Sequence, residues 1–77
     1  MLDVEYIKSK RKELGLSLKD MALKLGYKSA NGFWRIEARL SDPNDSKLEK
    51  IADILDVSIE RLFNNSNIKN GRQLNGN

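Results

Sequence analysis

The side chains available for chemistry are fourteen lysines and arginines and eleven aspartates and glutamates, with no histidine and no cysteine. That inventory removes several mechanisms at once. Without cysteine there is no disulfide, no thiolate nucleophile and no zinc site of the Cys/His type. Without histidine there is no Ser-His-Asp arrangement. The acids do not cluster with the spacing of a carboxylate metal loop, and no pair suggests general acid–base work. No metal, cofactor or enzymatic activity is expected. What remains is charge, and it is unevenly placed. Residues 1–39 carry nine Lys/Arg against five Asp/Glu, a surplus of four. Residues 40–63 carry three against six, a deficit of three, and residues 64–77 carry two and none. A basic first half beside an acidic second half offers one face to a polyanion and turns the other away. The competing reading is an ordinary solvated surface.

The charges need a frame to position them. At 77 residues the chain has room for one domain with an economical core. Apolar residues recur at helical spacing, and strand-like alternation is scarce. A first helix is expected over residues 4–14, capped by Asp3, with Val4, Ile7, Arg11 and Leu14 on one face and Gly15 as the stop. Ser17-Leu18-Lys19-Asp20 resembles a capping box and opens a second helix that buries Leu18, Met21, Ala22 and Leu25 and ends at Gly26. A third starts at Ser29 or Ala30 and ends near Ala38, with Phe33 and Ile36 inward. Gly32 within it costs about 1 kcal/mol relative to alanine. After the turn-rich Ser41-Asp42-Pro43-Asn44-Asp45, a second capping box at Ser46-Lys47-Leu48-Glu49 starts a fourth helix that buries Leu48, Ile51, Ala52 and Leu55. Ser58 caps a short fifth helix over residues 59–63, whose Leu62 joins the core. Residues 64–77 are polar and glycine-rich with no apolar face, and are expected to be a disordered tail. No apolar run approaches the roughly 20 residues a membrane span requires, and the acidic start of the chain is unlike a signal peptide. A soluble, cytoplasmic protein is expected.

This order of pieces resembles the helix-turn-helix family of lambdoid phage repressor and Cro proteins, the XRE type. Ile7-Lys8 with Arg11-Lys12-Glu13 and Gly15-Leu16-Ser17 resembles that family's first helix and turn. Ser17 to Gly26 resembles the first helix of the helix-turn-helix, and Arg35-Ile36-Glu37 the end of the recognition helix. Pro43 to Leu48, Ile51-Ala52, Leu55-Asp56-Val57-Ser58 and Leu62-Phe63 resemble the last two helices. The stretch from Ile36 onward is also similar to the DNA-binding domain of SinR-type bacterial regulators. The resemblance implies an all-α, compact five-helix repressor-like domain over residues 1–63, with helices 2 and 3 forming the helix-turn-helix. The chain departs from the pattern in four places. The segment between Gly26 and Glu37 is one residue longer than usual, Ala30 stands where a polar reader is common, Leu18 where glutamine is common, and Arg39 where a glycine or asparagine cap is usual.

The resemblance also implies roles. In such proteins the third helix enters the major groove of double-stranded DNA. That assigns base contacts to Ser29, Ala30, Asn31, Trp34 and Arg35. Asn31 suits a bidentate pair with adenine and Arg35 one with guanine, while Ala30 offers thymine a methyl contact. The structural alternatives are a first-turn capping role for Asn31 and a solvated or phosphate-bound Arg35. Trp34 either presses on sugars and thymine methyls or folds back as a lid on the core. Phosphates are assigned to the amides of Ser17 and Leu18 at a helix N-terminus, with Lys28, Arg39 and Lys47 adding charge. Arg11 and Glu37 are assigned to a structural ion pair that locks the first helix onto the third. Ile59, Arg61 and Phe63 are assigned to a homodimer interface. The expected function is transcriptional regulation, as a repressor on a two-fold operator. The alternative is a protein-interaction module of the antitoxin or anti-activator type, which binds a protein partner through the helical domain and the C-terminal tail.

Overall fold

The helices begin and end where local chemistry satisfies their unpaired backbone groups. The computed structural model describes residues 1–63, and the tail expected over 64–77 lies outside them. In chain order they hold α1 (Val4–Glu13), α2 (Leu18–Lys24), α3 (Ala30–Glu37), α4 (Asp45–Leu55) and a single 3-10 turn (Ile59–Leu62). Asp3 caps α1 by accepting the Tyr6 amide at 3.1 Å. At α2 the full capping box forms, with the Ser17 hydroxyl accepting the Asp20 amide and Asp20 accepting the Ser17 amide, both at 2.9 Å. The expected box at Ser46 does not start α4. The helix begins at Asp45, and Asn44 caps it by accepting the Lys47 amide at 2.9 Å. Asn44 is extended and its side-chain oxygen faces the first turn, so it captures the helix start two residues early.

All four helices close in the same way. The amides of Leu16, Tyr27, Leu40 and Val57 reach back five residues to the carbonyls of Arg11, Ala22, Arg35 and Ala52. That closure needs a left-handed residue one position earlier, and Gly15, Gly26, Arg39 and Asp56 supply it with φ between 58° and 92°.

The fold is all-α, but the count of five helices is corrected to four and a 3-10 turn. Four residues are too few to sustain α-helical pairing, and Ser58 makes no side-chain cap. Phe63 then turns extended and forms an isolated antiparallel bridge with Leu2. The Asp3 amide adds a 2.7 Å bond to the Leu62 carbonyl, so the start of the domain is sewn to its end.

The core comprises Val4, Ile7, Met21, Ala22, Leu25, Phe33, Ile36, Leu48, Ile51, Ala52, Leu55 and Leu62. Leu14, expected inside, is 44% exposed. It is the C-cap of α1, where the chain leaves the helical path and carries its side chain off the inner face. Leu18 is half-buried at the edge of the core, and α3 packs chiefly against α2. Among the described residues, no helix is long and apolar enough to cross a membrane and no group of His, Cys, Asp or Glu could hold a metal.

Candidate nucleic-acid interface

α3 has two unlike faces. Phe33 and Ile36 are fully buried and fix its inner side. Asn31, Trp34, Arg35 and Ala38 stand at intervals of three and four, so they share the outer side, and all four are exposed. Ser29, the N-cap, is exposed as well, and Ala30 is half-buried beside it. Three of the five expected readers, Asn31, Trp34 and Arg35, therefore lie on one stripe, with Ser29 and Ala30 at its N-terminal edge. Among the described residues Asn31 makes no side-chain hydrogen bond, so its capping alternative is not realised. Arg35 has only a long 3.4 Å contact to the Leu40 carbonyl. Trp34 stays 45% exposed, too open for a closed lid.

Two charged groups anchor the other end of α3. Arg11 Nε donates to Glu37 at 2.8 Å and its Nη2 donates to the second carboxylate oxygen at 3.2 Å. Arg11 Nη1 donates to the Leu16 carbonyl at 2.8 Å. Both side chains are only 8% exposed. One guanidinium thus ties together α1, the turn after it and the end of α3. The bidentate geometry satisfies charges that would be costly to bury singly.

The positions expected at phosphates divide. The Ser17 amide is already engaged by Asp20, whereas the amides of Leu18 and Lys19, inside the first turn, have no intrahelical acceptor. The Ser17 amide and hydroxyl bonded to Asp20 hold its carboxyl below the usual aspartate range, with smaller help from Lys24 and Lys19. Lys28 is exposed on the turn before α3. Arg39 is exposed just beyond α3, with φ +63° and a 3.4 Å contact to the Leu2 carbonyl. Lys47 has partners within the chain. Its ammonium donates to the Leu25 carbonyl at 2.7 Å and lies 4.9 Å from the centre of the Tyr27 ring. A cation is stabilised at a helix C-terminus, where unpaired carbonyls concentrate negative charge. Lys47 is therefore bound within the fold.

The residues expected at a dimer contact also make contacts within the chain. Ile59 and Phe63 are half-buried against the core, and Arg61 stacks over Tyr6 at 5.2 Å.

One feature was not singled out from the sequence. Gly32 lies against Tyr27 so closely that a Cβ there would meet the tyrosine Cγ at 2.4 Å and its Cβ at 2.7 Å. The signal was a glycine inside a helical pattern, which can mark a close approach as well as a weak helix.

Two helices joined by a tight turn, the second displaying an exposed polar stripe, define a helix-turn-helix protein. The sequence matches the helix-turn-helix family over residues 7–62, from the first fully buried residue of α1 to the last residue of the 3-10 turn. The chain belongs to that family, in its XRE or Cro/C1 type, a family of DNA-binding transcription regulators. No curated protein and no solved structure matches it.

Proposed function

We propose that this protein is a repressor that binds a two-fold operator as a homodimer in the cytoplasm, with α3 in the major groove of each half-site. The observation that carries this reading is the outer stripe of α3. Asn31 and Arg35 are exposed there without strong partners, while the opposite face is fully buried. Their amide and guanidinium groups match adenine and guanine edges respectively, each pair worth about 1–3 kcal/mol of discrimination. Trp34 between them supplies an apolar surface for sugars and thymine methyls. Ser29 and Ala30 complete the reading edge. The amides of Leu18 and Lys19, with Lys28 and Arg39, hold the phosphates that set register.

A dimer follows from reach. One helix reads only a few base pairs, and two placed about 34 Å apart read successive turns of one groove. The surface around the 3-10 turn, with Ile59, Arg61 and Phe63, is the face assigned to the second copy.

Fluorescence anisotropy with a labelled duplex from the region flanking the protein's own gene, beside a shuffled duplex, tests the reading at two salt concentrations. Selective binding with a salt slope that counts engaged phosphates is expected. Equal binding to both duplexes, and to duplexes drawn from a random-sequence library, overturns it. Light scattering that finds one chain per operator overturns the dimer.

A further inference from the structure

We infer that Tyr27, seated on Gly32 and held by Lys47, is a positioning residue that sets where α3 meets DNA. The inference rests on the proposal that α3 reads DNA and goes beyond it by naming what determines the pose of that helix.

The start of α3 needs such a device. Its N-cap, Ser29, makes no side-chain hydrogen bond, unlike the caps of α1, α2 and α4. Something other than a cap must fix the first turn of α3, and Tyr27 is placed to do so from three sides. Its backbone belongs to the end of α2, because its amide donates to the Ala22 carbonyl at 2.9 Å. Its ring base abuts the backbone of Gly32 in the first turn of α3. The Lys47 ammonium lies over the ring from α4 while bonded to the Leu25 carbonyl. The root of the Tyr27 side chain thus sets how closely the end of α2 and the first turn of α3 approach.

Glycine at 32 follows directly. The atoms that a Cβ would strike are the Tyr27 Cβ, Cγ and Cδ1. These lie at the root of the side chain, so no rotation of the ring tip relieves the clash. An alanine there must displace either the turn or α3. Gly32 lies between Asn31 and Arg35, so a displacement of α3 carries both readers with it.

The test uses the full chain and two duplexes, one enriched by the wild-type protein from a random-sequence library and its shuffled counterpart. The readout is the ratio of the two affinities, with the salt slope and the thermal midpoint measured alongside. Gly32→Ala and Tyr27→Ala, which removes the Cγ and the ring, are expected to lower the ratio at least about tenfold, the worth of one bidentate base contact. Affinity for the shuffled duplex and the salt slope are expected to stay near wild type, because the phosphate contacts lie outside the displaced stripe. Tyr27→Phe, which keeps the ring, keeps the ratio.

A folded Tyr27→Ala variant with the wild-type ratio overturns the inference while leaving DNA reading intact, and it decides the matter if Gly32→Ala does not fold. A wild-type protein that enriches no sequence overturns the DNA-reading proposal and the inference with it.

Discussion

The two ends of α3 are built on opposite principles. The C-terminal end is bound by charge. Glu37 is gripped by Arg11, which also reaches the Leu16 carbonyl, and both partners are nearly buried. The N-terminal end has no side-chain cap and is held by shape, with a ring against a glycine. Directional bonds fix the C-terminal end, while the N-terminal end, proposed above to read DNA, has no side-chain cap. A polar cap or an ion pair at the reading end would compete for the donors and acceptors that a base edge needs. Steric seating leaves those groups free.

The turns that flank α3 make the same point. Both close with the same backbone hydrogen bond and a left-handed residue, Gly26 before the helix and Arg39 after it. The Lys47 ammonium passes 3.9 Å from where a Cβ would stand on Gly26. Arg39 instead is exposed, where a charged side chain fits, with its guanidinium 3.4 Å from the Leu2 carbonyl.

The largest expected effect comes from breaking the charged end. Glu37→Ala leaves the Arg11 guanidinium buried without its partner and should cost about 3–5 kcal/mol in urea unfolding. Full stability in that variant would reduce the pair to an ornament of the packing. On the outer stripe of α3 the effect falls on recognition. Arg35→Ala should lose about 1–3 kcal/mol of discrimination at one base pair in competition with singly substituted duplexes. Its folding stability should stay within about 0.5 kcal/mol, as befits an exposed position. Lys47→Met removes the bond to Leu25 and should lower stability by about 1 kcal/mol. It should leave the salt slope unchanged, whereas a phosphate ligand would reduce that slope by about one. Arg39→Gly relieves left-handed strain and should raise stability by up to about 1 kcal/mol, while it lowers affinity for any duplex and flattens the salt slope. The smallest effect is at α2. The Asp20 carboxyl is lowered by its bonds to Ser17, so its contribution is present above the ordinary aspartate range and is lost as pH falls through the lowered value. An acid titration of Asp20→Asn beside the wild type should show that variant losing less stability at low pH.

Local chemistry made most of the frame legible from residues alone. Asp3, Ser17, Gly15 and Gly26 carry their capping roles in their own type and spacing, and the inward stripes of α2 and α4 follow from helical periodicity. The misses arise where two local signals compete. Asn44 and Ser46 could each start α4, and the residue after proline prevailed. Leu14 continues the apolar stripe of α1, but the stop signal of Gly15 acts one residue earlier and turns it out. A short 3-10 turn and a longer helix share one pattern over four residues, so the last element was overcounted.

By itself, the sequence determined the helical frame, the exclusion of thiol and imidazole chemistry, and which residues carry groups able to read a base edge, because these depend on residue type and on neighbours within a turn. Only the tertiary structure decided what Lys47 and Gly32 do. Their partners, Leu25 and Tyr27, lie on other elements, and contacts between elements depend on how whole helices pack. A lysine looks the same in sequence whether its ammonium meets a phosphate or the end of a helix. A helix glycine looks like a weakness until the ring that needs its missing Cβ is set beside it.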